Sequence, residues 1–167
     1  MTDFKVDNVK QVLFLADELK TTQLANAFAN ACKVSKAYEN GLMVYLHGDL
    51  GAGKSFFSRG FIQNFLPDQK VKSPTYTIVE SYKVYNFSIH HLDLYRLCDP
   101  EELEYLAIRD LLSGFFVALI EWPQKGEGYL PKADIEIQLS HQSQGRQVEL
   151  LSKSVKGNLV LAELAKN

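Results

Sequence analysis

A glycine-rich segment between a predicted strand and a predicted helix constrains this chain more than any other feature. Residues 48–55 have the sequence Gly-Asp-Leu-Gly-Ala-Gly-Lys-Ser, which fits the pattern G-x-x-x-x-G-K-[ST] at every fixed position. The apolar residues 42–46 come shortly before it and predict a buried central strand. Residues 54–66, which end before Pro67, predict a helix. This order of strand, turn and helix is typical of a phosphate-binding loop.

The residue types in this segment suit phosphate binding for physical reasons. Gly51 and Gly53 permit backbone angles that leave several N–H groups pointing inward. Those groups and the N-terminus of the following helix form a cradle for the β-phosphate of a nucleotide. Lys54 adds a positive charge near the β- and γ-phosphates, and the Ser55 hydroxyl is suited to bind Mg²⁺. We therefore expect a nucleotide with Mg²⁺ at this loop.

Patterns of apolar residues predict alternating strands and helices along the rest of the chain. Helices are predicted from Thr21, with Thr21 or Thr22 as the cap, from Asp99, which is itself the cap, and over residues 156–166. Residues 9–19 fit either a strand or part of a helix. Further strands are predicted at residues 78–84, 87–92, 115–120, 135–139 and 148–150. We expect an α/β fold, a three-layer sandwich like that of P-loop NTPases with a mixed, partly parallel sheet.

Length, charge and cysteine content disfavour several classes of protein. A chain of 167 residues predicts one domain over residues 1–167. The net charge of −2 lacks the basic excess of a free-standing nucleic-acid-binding protein. No apolar run approaches the roughly 18 residues that span a membrane, and residues 1–5 lack the apolar core of a secretory signal. With only Cys32 and Cys98, far apart, we expect a cytoplasmic protein without membrane contact.

Two acidic residues that follow predicted strands are candidates for a metal site. Asp93 and Glu121 each come directly after an apolar strand. Because ligands of open α/β sheets collect at the carboxyl ends of the strands, both residues suit holding Mg²⁺ or the attacking water. His90 and His91 should face opposite sides of their strand, so packing or hydrogen bonding is favoured over metal binding. Trp122 is expected either to line the site or to pack against the sheet.

Five short motifs follow one another in a fixed order. They are Gly-Asp-Leu-Gly-Ala-Gly-Lys-Ser at 48–55, Ser-Pro-Thr-Tyr-Thr at 73–77, His-Leu-Asp-Leu-Tyr-Arg-Leu at 91–97, Asp-Pro-Glu-Glu-Leu at 99–103 and Ile-Glu-Trp-Pro at 120–123. Together they resemble the motifs of the bacterial TsaE family, over roughly residues 10–150. The resemblance implies a P-loop ATPase, with ATP and Mg²⁺ as its ligands, that is required to form threonylcarbamoyladenosine at position 37 of tRNA.

The resemblance also implies partner proteins. In that family TsaD, which pairs with TsaB, carries out the chemistry on tRNA, and ATP hydrolysis by the TsaE component is expected to reset that complex. The chain is therefore expected to bind TsaD–TsaB, to act on tRNA indirectly, and to be a weak ATPase alone. Arg59, Tyr95 and Arg96 match family positions and are expected at the partner surface, with surface salt bridges or a catalytic role as the alternatives.

Individual residues acquire roles from the same resemblance. Lys54 acts on the phosphates, Asp93 is the Walker-B-like acid, and Glu121 lies at the metal. Thr75 lies in a loop that resembles switch I, where its hydroxyl responds to the γ-phosphate. Ser55 stands where the family often has Thr and keeps a hydroxyl for Mg²⁺, so the expected metal ligands are Ser55, Glu121 and Asp93. The residues expected to bind the nucleotide are Asp49, Leu50, Gly51, Ala52, Gly53, Lys54, Ser55 and Phe56, with Glu18 and Thr21 near the adenine.

Two other functions stay open at this point. The first is a P-loop kinase for a small molecule, an enzyme class that normally uses several arginines in a mobile lid. The chain has four arginines and none of them form a lid-like cluster: Arg59, Arg96, Arg109 and Arg146. The second is a binding module that is gated by a nucleotide without hydrolysing it. Asp93, Glu121 and Thr75 count against this second alternative.

Overall fold

A seven-stranded sheet forms the centre of the molecule. The computed structural model describes residues 8–166. The strands are β1 (Lys10–Leu15), β2 (Leu42–His47), β3 (Val79–Lys83), β4 (Ser88–Asp93), β5 (Phe116–Glu121), β6 (Ile135–Gln142) and β7 (Gly145–Ser152). The helices are α1 (Glu18–Ser35), α2 (Lys54–Phe65), α3 (Glu102–Tyr105), α4 (Ile108–Leu111) and α5 (Val155–Leu164), with short 3₁₀ helices at Ala37–Asn40 and Pro123–Gly126.

The sheet is parallel at its centre and antiparallel at its edges. Its strands lie in the order β1-β7-β6-β2-β5-β4-β3. The four central strands, β6, β2, β5 and β4, run parallel to one another. β7 and β1 extend one side and β3 the other, all in antiparallel pairing. The predicted mixed, partly parallel sheet is therefore confirmed.

Helices cover both faces of the sheet and so form three layers. On one face, Phe28 of α1 and Phe57 of α2 join a buried cluster with Val44 of β2. On the other face, Leu103 of α3 belongs to a second buried cluster with Met43 of β2. Because successive strand residues point to opposite faces, β2 is apolar on both sides, as its sequence indicated. Among residues 8–166, no helix combines the length and the apolar character needed to cross a membrane.

The predicted strands are all present, with ends that differ by a few residues. Residues 9–19, which fitted either a strand or a helix, divide between the two: β1 ends at Leu15 and α1 begins at Glu18. The helices predicted after the glycine-rich turn and near the end of the chain are α2 and α5. The side chain of Ser154 caps α5 by accepting the N–H of Gly157 at 3.0 Å.

The predicted cap of α1 is wrong. The helix starts before Thr21, and Asp17 caps it by accepting the N–H of Lys20 at 2.9 Å. The Thr22 hydroxyl lies inside the first turn and donates to the carbonyl of Glu18 at 3.1 Å. A threonine inside a helix makes this local bond readily, so the Thr-Thr pair gave a misleading cap signal.

The helix predicted from Asp99 is also displaced. α3 begins at Glu102 and contains only four residues. The Asp99 side chain instead accepts the N–H of Glu101 at 2.9 Å, and the Glu102 carboxylate accepts the N–H of Cys98 at 3.0 Å. These acids therefore stabilise a turn that comes before the helix.

The sheet places the ends of three strands beside the start of α2. β2 leads directly into the glycine-rich turn that ends at Gly53, where α2 begins. On the neighbouring strands, Asp93 and Glu121 are partners in register, and Glu121 is also the register partner of Leu46 of β2. The parallel pairing of β2, β5 and β4 thus brings both predicted acids to the edge of the sheet that carries the loop.

Candidate functional site

The glycine-rich loop has the backbone conformation expected of a phosphate-binding loop. Gly51 and Gly53 have φ angles of 78° and 106°, in the region that favours glycine. Gly53 is the cap of α2 and has no side chain to bond the first N–H groups of that helix. These N–H groups are therefore available to an anion.

Lys54 lies inside the loop rather than in solvent. Its side chain is 5% exposed, and its ammonium donates to the carbonyl of Gly48 and, at 3.0 Å, to that of Asp49. The same ammonium lies 4.4 Å from the centre of the Trp122 ring. Burial lowers the pKa of Lys54, and the charges of Glu121, Asp93 and Asp49 oppose that shift. The carboxylates nearby thus help to keep a buried cation charged beside the loop.

A hydroxyl and two carboxylates meet at the start of α2. The Ser55 O–H donates to the carboxylate of Glu121, whose oxygens lie 3.0 and 3.1 Å away. Asp93 is beside Glu121 in the sheet and accepts the N–H of Tyr95 at 3.0 Å. Burial raises the pKa of Asp93, and the negative charge of Glu121 adds to the effect. Hydroxyl and carboxylate oxygens are the hard ligands that Mg²⁺ prefers, so the donor set fits this ion.

The two adjacent histidines face opposite sides of β4, as predicted. His90 Nδ1 is hydrogen-bonded to Ser81 Oγ at 2.8 Å. His91 Nε2 lies 2.8 Å from Glu121 Oε2, and both side chains are buried. The sequence left packing and hydrogen bonding open for both histidines and did not indicate the partner of His91. The spacing of His91 and Asp93, two residues apart on one strand, was the signal that both lie on the same face.

A cavity of about 440 Å³ opens over the loop and joins these groups. Most of the predicted site residues line it: Leu50, Gly51, Ala52, Gly53, Lys54, Ser55, Phe56, Thr75, Asp93 and Glu121. Trp122 lines it as well and also packs against the buried cluster on the sheet, so the structure shows both of the roles expected for this residue. Its backbone is left-handed, with φ of 57°, and its ring packs at 5.0 Å from that of Tyr95. The side chain thus walls the cavity beside Lys54.

The structure does not bring every predicted residue into this cavity. Asp49 is exposed and contributes its backbone carbonyl to Lys54. Glu18 lies in a separate, adjoining cavity of about 350 Å³. The Thr21 hydroxyl is fully buried and lies 3.4 Å from the carbonyl of Asp17, to which it donates. The assignment of Glu18 and Thr21 to an adenine site stays a prediction, with Thr21 not accessible to a ligand in this structure.

Arg146 is a site residue that the sequence did not single out. It lies in β7, and its Nη2 donates to the carbonyl of Gly51 at 3.2 Å. A Cβ atom at Gly53 would lie 3.4 Å from the guanidinium, so this group packs directly against the loop. Arg146 also lines both the main cavity and the cavity that contains Glu18. It is the one cationic side chain, among the described residues, that borders both.

Two further arginines were assigned to a partner surface. Arg96 lines the mouth of the main cavity, and its guanidinium lies 4.3 Å from the centre of the exposed Tyr76 ring. Arg59 is exposed on α2. Tyr95 is 40% exposed and lines the same mouth as Arg96. Their accessibility is compatible with an interface, and their role stays a prediction.

The sheet topology and the loop define a protein with the P-loop NTPase-like fold. A family model described as "Threonylcarbamoyl adenosine biosynthesis protein TsaE" matches residues 15–148. The chain belongs to the TsaE family, as its motifs indicated.

Individual relatives agree with this membership. The chain is 41% identical over 149 residues to the tRNA threonylcarbamoyladenosine biosynthesis protein TsaE of Haemophilus influenzae, covering 89% of this chain and 94% of that protein. The protein of the same name from Rickettsia felis is 34% identical over 151 residues, covering 89% and 84%. The solved structure of Bacillus subtilis YdiB superimposes with a TM-score of 0.72 over 98% of both chains. At 23% sequence identity, that last match supports the fold alone.

Proposed function

We propose that this protein binds ATP with Mg²⁺ and hydrolyses it to ADP and phosphate, in support of threonylcarbamoyladenosine formation on tRNA. One observation carries the proposal: the Ser55 hydroxyl and the Glu121 carboxylate, 3.0 Å apart, lie at the first turn of α2 beside the phosphate loop. Asp93 borders the same cavity. This is the arrangement of hydroxyl and acid that holds the metal in P-loop NTPases.

Different groups of the chain bind the phosphates and the metal in this proposal. The N–H groups at the start of α2 hold the β-phosphate, and Lys54 exchanges its bonds to loop carbonyls for phosphate oxygens. Ser55 with Glu121 or Asp93 holds Mg²⁺, which neutralises charge on the phosphates when bound. Within the described residues, no group of three or more His, Cys, Asp or Glu side chains forms a metal site by itself. Mg²⁺ bound with a nucleotide commonly uses one or two carboxylates and phosphate oxygens.

A protein complex is the proposed recipient of the energy of hydrolysis. The curated relatives carry the name of a tRNA threonylcarbamoyladenosine biosynthesis protein, and we extend that role to this chain. The partner in our proposal is TsaD–TsaB, so that contact with tRNA is indirect. Thr75 lines the cavity, and Tyr76 beside it is 81% exposed. The loop that contains both residues therefore borders the proposed nucleotide site and is also open to a partner protein. A cytoplasmic location is part of the proposal, and the free thiols Cys32 and Cys98 support it.

Phosphate release measured with and without purified TsaD and TsaB tests this function. We expect slow Mg²⁺-dependent release from the protein alone and faster release with the partners. Lys54→Ala should abolish it, whereas Lys70→Ala, which removes an exposed lysine, should not. Equal activity of Lys54→Ala and the wild type would overturn the site. Transfer of labelled phosphate to a small acceptor would favour a kinase instead, and nucleotide binding without turnover would favour a binding module.

A further inference from the structure

The hydrogen bond between His91 and Glu121 favours one tautomer of a buried imidazole. The two side chains are 1% and 3% exposed, and Nε2 of His91 lies 2.8 Å from Oε2 of Glu121. Because an ionised carboxylate only accepts hydrogen bonds, Nε2 must carry the proton. The other ring nitrogen, Nδ1, is buried and has no hydrogen-bond partner within residues 8–166.

Packing does not explain a histidine at this position. Ile89, two residues before His91 and on the same face of β4, is fully buried, and so is Leu119, the register partner of His91. An apolar side chain would continue this surface and would leave no ring nitrogen buried without a partner. A buried nitrogen without a hydrogen-bond partner carries a desolvation cost. The bond to Glu121 is the contact that offsets this cost.

Two donors hold the Glu121 carboxylate in one orientation. The Ser55 hydroxyl approaches it from α2, and His91 approaches it from β4. Glu121 is buried, so water has little access to replace either donor. Of these two donors, Ser55 is itself a candidate Mg²⁺ ligand, whereas His91 contacts the carboxylate from within the sheet. When Ser55 turns toward a metal, His91 is the donor that still holds the carboxylate.

We propose that His91 is a positioning residue that orients the Glu121 carboxylate for Mg²⁺. This inference rests on the proposed function, since it assumes that Glu121 serves the metal. Partners that hydrogen-bond to metal-binding groups typically change metal affinity by about 10- to 100-fold when they are removed. The effect should therefore appear in the binding of Mg²⁺ and not in the binding of the nucleotide without metal.

The chain provides a matched control for this test. His90 is the adjacent histidine on β4, is also buried, and bonds Ser81 on the opposite face of the sheet. His91→Leu removes the donor with little change in volume. His91→Gln keeps an N–H donor near the position of Nε2, and the shorter His91→Asn does not reach it. His90→Leu makes the same chemical change away from Glu121.

The experiment is a titration of Mg²⁺ into each full-length protein saturated with ADP, followed by the fluorescence of Trp122. We expect the half-maximal Mg²⁺ concentration to rise about 10- to 100-fold for His91→Leu and His91→Asn. His91→Gln and His90→Leu should stay close to the wild type. ADP affinity in EDTA should be similar for all five proteins, and thermal melting identifies any variant that does not fold.

The outcomes separate this inference from the proposed function. A wild type that shows no Mg²⁺ dependence in this fluorescence or in phosphate release from ATP contradicts the function itself. The role of His91 is overturned if the wild type responds to Mg²⁺ and His91→Leu has the same half-maximal Mg²⁺ concentration. An equal rise in the half-maximal Mg²⁺ concentration for His91→Gln and His91→Asn also overturns it, because the N–H donor would then make no difference. If His91→Leu does not fold, the difference between the Gln and Asn variants still decides the question.

Discussion

The ammonium of Lys54 lies 4.4 Å from the centre of the Trp122 ring. Trp122 is the only tryptophan in the sequence, so its emission reports on the phosphate loop without a label. We expect ADP or ATP to change this emission, because a phosphate draws the cation away from the ring. A fluorescence titration measures the effect. Lys54→Ala should lose the nucleotide response, and an unchanged spectrum in a wild type that binds nucleotide by calorimetry would contradict the prediction.

Removal of the Arg146 guanidinium should weaken nucleotide binding. Its contact with the Gly51 carbonyl and its packing against Gly53 support the loop, and its charge borders the cavity. Loss of this charged hydrogen bond should loosen the loop that binds the phosphates, so Arg146→Ala should raise the ADP dissociation constant by roughly 10-fold, which corresponds to about 1.4 kcal/mol. Calorimetry with ADP measures this. Arg109→Ala, at an exposed position in α4, is the control, and equal affinities of the two variants would refute the role of Arg146.

The ionised side chain of Asp93 should lower the free energy of unfolding near neutral pH. Burial raises its pKa, so the folded state binds more protons than the unfolded state between the unfolded and folded pKa values. Its contribution to stability is therefore present below the ordinary aspartate pKa of ~3.9 and is lost as pH rises through the folded pKa. Asp93→Asn should be more stable than the wild type near neutral pH, with a difference that shrinks toward about pH 4.

Urea unfolding in EDTA at several pH values tests this prediction. The amide of Asn can still accept the N–H of Tyr95 through its oxygen, so the local hydrogen bond is kept. The exposed Asp68→Asn serves as the control. A stability difference for Asp93→Asn that is independent of pH would contradict the titration argument. The same variant should lose Mg²⁺-dependent hydrolysis.

Ser58 should be replaceable with a gain in stability. It is fully buried in α2, and its hydroxyl has no hydrogen-bond partner in the part of the chain that the structure describes. Because such a group carries a desolvation cost, Ser58→Ala should increase the free energy of unfolding by about 1 kcal/mol. Urea unfolding measures it. Ser152 is an equally buried serine that donates to the carbonyl of Ser154 at 2.9 Å, so Ser152→Ala should destabilise the protein. An equal decrease in the free energy of unfolding for Ser58→Ala and Ser152→Ala would contradict the argument.

The parts of the site that the sequence predicted depend on local order. β2, the loop and α2 are consecutive in the chain, so a single pattern of apolar and glycine residues specifies all three. Asp93 and Glu121 were predictable because each terminates an apolar strand, and parallel strands end at a common edge. The position of these residues follows from topology that the alternation of strands and helices already favours.

The parts that the sequence did not predict depend on distant contacts. Arg146 reaches the Gly51 carbonyl across 95 residues of chain, and the fold of the β6–β7 hairpin decides where it points. The partner of His91 likewise depends on the alignment of two strands that are 30 residues apart in sequence at this contact. The α1 cap was mistaken for a different reason, since Asp17 and Thr21 are both good capping types and only the start of the helix separates them.

The order of the strands has a consequence for how the protein is made. β5 lies between β2 and β4 in the sheet, although the ribosome completes it after both. Until β5 emerges, the loop that follows β2 and the acid that ends β4 have no strand to join them. Glu121 is the last residue of β5, so the strand that joins β2 to β4 also carries the partner of Ser55. A chain that stalls before this point has neither a continuous sheet nor a complete site. The candidate site therefore forms only after β5 has been synthesised.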